Sequence, residues 1–448
     1  MNHLAPTFAT LLLAVLAVAP IASGEDLRPQ VDLELPSLLS IYQDLHAHPE
    51  LSRHEERTSA FLAGELRKAG YAVTEHVGKY PGGAQAFGIV GILKNGAGPV
   101  VLLRTELDAL PVEEKTGLPY ASHVRTKDDA GQEVGVMHAC GHDLHMAAFL
   151  GTARLLAQLK DRWTGTLMLV GQPSEETIDG ARAMLADGLY SRFPKPDYAI
   201  AQHDIPNIEA GKVGVVSGPA LASSTSVDVT IRGLGGHGAH PEAAKDPIVM
   251  AAQFVLALQT IVSRQISPQS PAVVTVGSIH GGSKHNIIPD EVALQITTRS
   301  YTDDVRKTIL AAIERTARGV ALGAGVPEDR APIVKVSETE SVPVTYNDPK
   351  LAQRLKGVLA GALGEGNVTE WQPEMGSEDF GLFGLEGRQI PIFQLRLGAA
   401  DPRDLAESLR TGKPVPSLHS SLFFPQAEPA LRTGVMAMTA SVLDLMKR

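Results

Sequence analysis

Short apolar runs alternate with segments of helical period over the first half of the chain. The runs at 100–103 and 166–170 predict strands buried on both faces, because they lack polar alternation, and 197–202 predicts a third strand. The segments 55–69 and 144–159 place apolar residues at helical spacing. Strands and helices in this alternation predict an α/β fold, in which helices cover both faces of a mostly parallel sheet.

The pattern changes in the middle of the chain. Residues 226–232 and 291–297 alternate apolar and polar side chains, which predicts strands in a sheet with one solvated face. Long helical segments at 247–265 and 303–321 accompany these strands. We therefore predict an inserted α+β domain over residues 223–337.

The N-terminus carries an apolar run over residues 8–18 and small residues before Glu25. This pattern predicts a secretory signal peptide at residues 1–24, with a buried N-terminal helix as the alternative. We expect an exported protein, periplasmic or secreted, without a membrane span in the mature chain. Detection of a chain starting near Glu25 in the periplasmic or culture fraction would show this. The remainder would form an outer domain from residues 25–222 and 338–448.

Composition and charge exclude some classes of function. The chain is 44% hydrophobic and 20% charged, as in ordinary globular proteins. Its formal net charge of -10 argues against a nucleic acid partner, because phosphate binding needs a basic surface. The single cysteine, Cys140, cannot form an internal disulfide. In an oxidising compartment such a thiol survives best when a metal ion holds it.

Cys140 lies among side chains that can bind metals. The stretch 137–145 contains His138, His142 and His145 as well. A thiolate and an imidazole two positions apart can reach one ion such as Zn²⁺, Co²⁺ or Mn²⁺. His142 is therefore a candidate ligand, whereas His138 and His145 are expected to pack or to hydrogen bond beside the site.

Polar side chains follow the predicted strands of the outer domain. Asp108 follows the first of these strands, Glu175 and Glu176 follow the second, and His203 closes the third. His419 lies in a Pro- and Ser-rich loop before the last predicted helix. Each residue alone has a simpler explanation, as a turn aspartate, a solvated acidic pair or a core histidine. Together they collect where parallel sheets form binding crevices, which indicates a metallohydrolase.

The neighbours Glu175 and Glu176 suggest two roles for two carboxylates. Adjacent side chains on an extended segment point to opposite sides, so one could bind metal while the other faces a water molecule. Metal binding lowers the pKa of water towards about 7. A carboxylate beside that water can accept its proton and later pass it to a leaving amine.

These stretches and several others occur in a specific order over nearly the whole mature chain. They are 45–51, 104–111, 138–143, 172–176, 235–241, 286–290, 375–380 and 418–420. In this combination the chain resembles the metal-dependent amidohydrolases that include hippurate hydrolase, aminoacylases and the plant hydrolases of auxin–amino-acid conjugates. These enzymes belong to the wider clan of metal aminoacylases and carboxypeptidases.

The resemblance implies a phosphorylase/hydrolase-like mixed sheet flanked by helices, with the insertion as a lid or dimerisation domain. It also implies a centre of two divalent metal ions, with Zn, Mn, Co and Ni as the candidates and a thiolate bridging both ions. The positions that match the family's ligands are Cys140, His142, Glu176, His203 and His419.

Other positions match residues that act on the substrate. Glu175 matches the catalytic base, while His237, Asn286 and Arg299 match lid positions that polarise the scissile carbonyl and grip the substrate carboxylate. His240 is a neighbouring imidazole, and which of the two lid histidines acts stays open. Asp108 would suit a carboxylate that orients a ligand histidine.

The function we expect is hydrolysis of the amide bond of small-molecule N-acyl amino acids, releasing a carboxylic acid and a free amino acid. A carboxypeptidase or dipeptidase that cleaves short peptides with the same centre is the alternative. A catalytically silent binding protein is disfavoured, because all five ligands and the base are present. Relatives that dimerise through the lid suggest a homodimer or higher oligomer through residues 223–337.

Overall fold

The computed structural model of the protein describes residues 27–385 and 387–448. The predicted signal peptide at residues 1–24 lies outside the described residues and stays a prediction. The α-helices of the described chain are α1 (Arg28–Ala47), α2 (Glu56–Lys68), α3 (His142–Gln158), α4 (Gly180–Ala186), α5 (Leu189–Arg192), α6 (Pro247–Thr260), α7 (Asp303–Gly323), α8 (Pro349–Leu363), α9 (Pro402–Thr411) and α10 (Ala427–Leu445).

The β-strands form two larger sheets and two short ribbons within the described residues. They are β1 (Ala72–Thr74), β2 (Ile89–Asn95), β3 (Val100–Glu106), β4 (Arg125–Lys127), β5 (Glu133–Gly135), β6 (Gly165–Gln172), β7 (Tyr198–Glu209), β8 (Val213–Val215), β9 (Gly218–Leu221), β10 (Ser223–Arg232), β11 (Gly236–His237), β12 (Ala272–His280), β13 (Ile287–Ile288), β14 (Glu291–Ser300), β15 (Ile333–Val342), β16 (Thr345–Asn347), β17 (Val368–Glu370) and β18 (Ile392–Ala400).

The larger, central sheet has the strand order β1-β2-β6-β3-β7-β18-β16-β9, and β8 joins β17 to β18. Strands β6, β3, β7 and β18 are parallel, whereas β1 and β2 add antiparallel strands at one edge. The sheet is therefore mixed, which confirms the predicted α/β class. The carboxyl ends of its four central strands meet at one edge, where a binding crevice is expected.

Helices cover both faces of the central sheet. Leu103 and Leu169 pack in a core with α1, α3, α8 and α10. Leu102 and Met168, one position earlier on the same strands, pack on the opposite face with α4 and the 3₁₀ turn Asp379–Gly384. Successive side chains of a strand point to opposite faces, so both faces of these strands need apolar residues.

The second sheet has the order β12-β14-β10-β15 and is antiparallel throughout. Val227 and Val229 of β10 face a core that α6 and α7 cover with Phe254 and Ile313. The intervening side chains are exposed or half-buried, which explains the alternation in the sequence. Strand β15 runs beyond the predicted insertion of residues 223–337, whose boundaries stay a prediction.

Local sequence signals explain several helix starts. Asp348 caps α8 by accepting a hydrogen bond from Leu351 N, and Pro349 stands in the first turn, where its missing N–H costs nothing. Thr302 caps α7 in the same way through Val305 N. The Thr302 cap lies at the predicted start of α7, so the boundary there follows from short-range chemistry.

The segment Pro247–Gln265, formed by α6 and the turn that follows it, is apolar enough to cross a membrane by length and composition. This is weak evidence for a membrane span, because a core helix passes the same test. Here Met250, Phe254 and Leu258 are buried against the second sheet. The outer side of the helix still exposes Leu256, which is 73% accessible.

Candidate active site

A cleft of about 950 Å³ opens between the carboxyl edge of the central sheet and the second sheet. Glu175, His203 and His419 line it from the central-sheet side, and Arg299 of β14 lines it from the other. A volume of this size suits a small-molecule substrate. The cleft therefore brings together residues that the sequence places far apart.

Cys140 lines the cleft at a sharp turn into α3, and His142 is buried beside it. Gly141, between them, has a φ of 73°, in the left-handed region that glycine adopts without strain. A Cβ atom at this position would lie 2.4 Å from Asp204 Oδ2. Glycine is thus required here, and the turn lets the thiol and the imidazole join the same cluster.

The five predicted ligands converge in two groups that share Cys140. Its Sγ lies 3.6 Å from His203 Nε2 and 3.3 Å from His419 Nε2. Glu176 Oε2 lies 3.5 Å from His419 Nε2, and Glu176 Oε1 lies 3.9 Å from His142 Nε2. Within each group, Cys140–His142–His203 and Cys140–Glu176–His419, the ligand atoms lie within 4.8 Å of one another.

The loop that carries His419 is tied to the cysteine loop by the backbone. His419 N donates a hydrogen bond to Ala139 O at 2.8 Å. His419 itself has a φ of 66°, an uncommon conformation for a residue with a Cβ atom. Strained backbone of this kind persists where the surrounding structure over-determines it, as at ligand-binding sites. These constraints place the imidazole of His419 against the thiol of Cys140.

Backbone carbonyls set the tautomers of two histidines. His142 Nδ1 donates to Asp108 O, and His203 Nδ1 donates to Asp204 O, each at 2.8 Å. A carbonyl oxygen only accepts, so each ring in its neutral form presents an unprotonated Nε2 to the cluster. Burial opposes protonation of His142, but Asp108 and other nearby carboxylates raise its pKa to about 10, so a bound cation must displace that proton. His203 lies within β7, which continues to Glu209, so the prediction that this residue closes its strand was wrong.

Asp108 lies against His142, as expected for a residue that orients a ligand histidine, and its carbonyl oxygen is closer than its carboxylate. The carbonyl oxygen of Asp108 holds His142, whereas its carboxylate Oδ1 is 3.5 Å from His142 Nδ1. Carboxylate Oδ2 accepts hydrogen bonds from Ser52 Oγ at 2.6 Å and from Glu176 N at 3.0 Å. Asp108 therefore positions both a candidate ligand histidine and the backbone of the glutamate pair.

Glu175 and Glu176 do not lie on an extended segment, as the sequence interpretation assumed. They begin a turn that Ile178 N closes by donating to Glu175 O at 2.7 Å. Both side chains lie near His142, but their other neighbours differ, because Glu176 joins Cys140 while Glu175 approaches Glu378. The turn is anchored at Glu176 N. It gives the two carboxylates different surroundings, as the alternation of side chains along a strand was expected to do.

The predicted lid residues divide into two sets. Arg299 lines the cleft, and its Nη1 contacts Ser377 Oγ. His237 lies on β11 and Asn286 directly precedes β13, and both are exposed to solvent. His240 is exposed as well, and its ring centroid lies 5.6 Å from that of His237. A single chain therefore brings only Arg299 of this set to the cleft.

The model of the protein family described as peptidase family M20/M25/M40 matches residues 102–409. The chain belongs to this family. A hippurate hydrolase of Campylobacter jejuni is 36% identical over 345 residues, which cover 77% of this chain and 84% of that relative. Thermostable carboxypeptidase 1 of Saccharolobus solfataricus is 34% identical over 349 residues, with 77% and 82% covered. These likenesses confirm the resemblance identified from the sequence motifs.

A solved structure of the same family has the same fold. The Bacillus subtilis YXEP protein, described as a dinuclear metal binding peptidase from the M20 family, aligns with a TM-score of 0.74. It is 27% identical, and the alignment covers 93% of this chain and 99% of that one.

The donor set of this M20/M25/M40 chain fits divalent metal ions. His142 Nε2 and Glu176 Oε1 are buried without a hydrogen-bond partner among the described residues. Burial lowers the pKa of His203 well below its usual range, with a further contribution from His145, so its imidazole is neutral as a ligand must be. Thiolate, imidazole and carboxylate together suit Zn²⁺, Mn²⁺, Co²⁺ or Ni²⁺.

The thiol of Cys140 provides a second argument for a cation. Burial and the nearby carboxylates of Glu176 and Glu175 raise its pKa well above the usual range. The thiolate is the form that binds metal, and these surroundings oppose its formation unless positive charge is present. The cluster is therefore suited to an ion and unsuited to a free reactive thiol.

A buried ionic network behind Glu175 was not identified as functional from the sequence. Arg104 Nη2 donates to Glu378 Oε1 at 2.7 Å and to Asp379 Oδ1 at 3.2 Å. Burial and the carboxylates of Glu378, Glu176 and Asp379 raise the pKa of Glu175 well above its usual range, against the opposing charge of Arg104. The position of Arg104 on the same strand end as Asp108 was the available signal.

His138 and His145 pack beside the cluster, as expected. His145 Nδ1 lies 3.0 Å from Glu106 Oε2, and its Nε2 lies 3.1 Å from Asp204 Oδ1. Burial opposes protonation of His145, but Glu106 and Asp204 raise its pKa to about 9. Burial lowers the pKa of His138 to about 4, and both of its ring nitrogens lack partners among the described residues.

Proposed function

We propose that the protein hydrolyses the amide bond of N-acyl amino acids and releases a carboxylic acid and a free amino acid. The observation that supports this most directly is the convergence of a thiol, three imidazoles and one carboxylate, with a second carboxylate beside them. The hippurate hydrolase likeness supports the same reaction class, since hippurate is an N-acyl amino acid.

Two divalent metal ions would be held at this cluster. When bound, they would supply Lewis-acid polarisation and lower the pKa of water towards about 7. The identity of the metal depends on availability as well as on the donor set. The residues that would hold the ions are Cys140, His142, Glu176, His203 and His419.

Glu175 would move the protons of the reaction. Its carboxylate faces the cleft, and the carboxylates around it raise its affinity for a proton. It would accept a proton from the attacking water and later deliver that proton to the departing amide nitrogen. Transfer to nitrogen turns a poor leaving group into an amine, so one side chain serves both steps.

Arg299 would bind the α-carboxylate of the substrate. Its guanidinium stands on the wall opposite Glu175 and is half-buried, and this burial lowers its pKa. A planar guanidinium fits a carboxylate with two hydrogen bonds. Ser377 contacts the same guanidinium and would hold it in position.

The experiment that tests the proposal compares N-acetyl amino acids with dipeptides, after separate loading with Mn²⁺, Co²⁺, Ni²⁺ and Zn²⁺. We expect hydrolysis of N-acyl amino acids to exceed that of dipeptides in kcat/KM with at least one metal. Preference for dipeptides would favour a carboxypeptidase or dipeptidase, the function that the Saccharolobus carboxypeptidase likeness supports. Binding without turnover of either class would contradict both functions.

A homodimer through the second sheet would complete the site. The outer side of α6 exposes Leu256 at 73% and Val249 at 53%, and exposed apolar residues of this kind mark interaction surfaces. The exposure of His237 and Asn286 outside the cleft supports a dimer as well, since the equivalent histidine of a partner subunit could reach the cleft of this chain.

Leu256→Glu is expected to convert the dimer to a monomer, because a charge would lose its hydration in an apolar interface. Size-exclusion chromatography with light scattering measures the change. Leu409→Glu is the matched control, since Leu409 is 89% exposed on α9, away from the second sheet. A wild-type chain that is monomeric at micromolar concentration would contradict the dimer.

A further inference from the structure

Arg396 is a buried guanidinium that lines the cleft from the central sheet. It lies on β18, opposite His203 of β7 in the parallel ladder. The neighbouring Leu395 and Leu397 pack in the core on the other face of the sheet, so Arg396 points away from them. Its side chain is 4% exposed and belongs to the cleft wall. Neither the sequence motifs nor the proposed reaction uses it.

The hydrogen-bond donors of Arg396 are largely unpaired. Its Nε and Nη2 are buried without a hydrogen-bond partner among the described residues. Nη1 lies 3.5 Å from Gln394 Oε1, at the limit of a hydrogen bond. The carboxylate of Glu374 lies 3.6 Å from Nη2, but that side chain is 36% exposed. Buried charged donors are normally paired, because leaving them unpaired costs free energy.

Arg104, on the same face of the same sheet, shows that the fold can saturate a buried guanidinium. Its Nε donates to Gln172 Oε1 at 2.9 Å, and its Nη2 donates to Glu378 Oε1 at 2.7 Å. Arg396 has no equivalent partners, although Gln394 and Glu374 are close. The difference indicates that the fold leaves the Arg396 donors free for a group that enters the cleft.

The free atoms lie on one edge of the guanidinium. Nε and Nη2 donate in parallel, a geometry that binds a carboxylate with two hydrogen bonds. The chain contains this pairing elsewhere, where Arg403 Nε and Nη2 donate to the two oxygens of Asp401 at 3.1 and 2.6 Å. The open edge of Arg396 therefore has the form of a carboxylate site.

We infer that the substrate carries a second carboxylate, and that the Nε–Nη2 edge of Arg396 binds it. This inference rests on the proposed function, in which Arg299 takes the α-carboxylate. The two guanidiniums stand on walls that belong to different sheets, and each offers a fork that can hold one carboxylate. The substrate class is N-acyl amino acids in which the amino-acid side chain or the acyl group ends in a carboxylate.

Glu374 is the carboxylate that competes for this edge. Its Oε1 accepts a hydrogen bond from Trp371 Nε1 at 3.2 Å, which holds the side chain beside Arg396 without closing the distance. An incoming carboxylate would meet repulsion from Glu374 and attraction from Arg396. Removing the charge at Glu374 is therefore expected to favour acidic substrates, whereas removing that of Arg396 is expected to disfavour them.

The experiment uses isosteric substrate pairs with the metal-loaded enzyme. N-acetylglutamate against N-acetylglutamine tests the amino-acid side, and N-succinylalanine against N-succinamoylalanine tests the acyl side. For one of these pairs, Arg396→Met is expected to lower the acidic-to-neutral ratio of kcat/KM by about 10- to 100-fold, as loss of a charge-assisted bidentate contact implies. Arg396→Lys should give a ratio between those of the wild type and Arg396→Met, because lysine keeps the positive charge but cannot donate two parallel hydrogen bonds.

Glu374→Gln should raise the same ratio, and this variant changes only a half-exposed side chain. Arg410→Gln, on the surface of α9, is the control that should leave the ratio unchanged. Equal losses for acidic and neutral substrates in Arg396→Met, or a fall in metal content, would assign a structural role and overturn the inference. An acidic-to-neutral ratio of kcat/KM that neither Arg396→Met nor Glu374→Gln changes would also overturn the inference. Turnover of neither substrate class by the wild type would overturn the proposed function together with it.

Discussion

Glu175→Gln is expected to lower kcat by about 10²- to 10⁴-fold, the usual contribution of a general acid–base group. The amide keeps the size of the side chain but cannot accept the proton of water. The protein should keep its bound metal, because Glu175 belongs to neither of the two ligand groups that contain Cys140. Steady-state kinetics together with elemental analysis of the purified variant measures both quantities.

The adjacent residue provides the matched comparison. Glu176→Gln makes the same chemical change one position along, at a side chain that lies 3.5 Å from His419 Nε2. This variant should lose metal as well as activity, because a neutral amide is a weaker ligand than a carboxylate. If Glu175→Gln retained near wild-type turnover, or if the two variants lost metal equally, the division of roles between these carboxylates would be wrong.

Cys140→Ser is expected to weaken metal binding by more than about 100-fold. Loss of a residue that only hydrogen bonds to a ligand weakens metal binding by up to about 100-fold, and Cys140 would be a direct ligand. Serine keeps the shape of the side chain but replaces a soft thiolate donor with a hydroxyl. Cys140 is shared by both ligand groups, so both ions should be affected. Competition with a chelator and elemental analysis measure the change.

His138→Gln is the control for Cys140→Ser. His138 is buried two positions from Cys140, yet it belongs to neither ligand group. This variant should retain metal, which would separate loss of a ligand from disturbance of the loop. Full metal occupancy in Cys140→Ser would contradict the proposed centre, and equal metal loss in both variants would indicate a structural effect.

The charged side chains buried behind Glu175 contribute to its raised pKa. Arg104 balances part of the negative charge of Glu378 and Asp379, yet both carboxylates still raise the pKa of Glu175. A side chain that is to hold a proton between two steps needs this property. The ionic network of Arg104 therefore connects the interior of the sheet to the chemistry of the cleft.

Sequence patterns predicted the elements that depend on short-range signals. A helix was predicted at 303–321, and the structure has α7 at Asp303–Gly323, where Thr302 caps its start. The alternation at 291–297 likewise predicted a strand with one buried face, as β14 has. Both features depend on neighbours along the chain, so single-sequence reasoning could reach them.

Errors arose where a distant contact overrides the local pattern. Glu175 and Glu176 form a turn because Asp108, in the loop after β3, holds the backbone N–H of Glu176. Strand β7 continues past His203 because β18 pairs with it as far as Glu209. Neither partner is visible from the residues around these positions.

The sequence by itself determined the fold class, the family and the set of side chains that can bind metal, because these follow from periodicity and from ordered motifs. Only the tertiary structure decided which of those side chains meet. Cys140 and His419 are 279 positions apart, and their contact depends on a loop tied to Ala139 O. The unpaired Nε and Nη2 of Arg396 could likewise be identified only from the tertiary structure, because all the groups around a donor must be known before it can be described as unpaired.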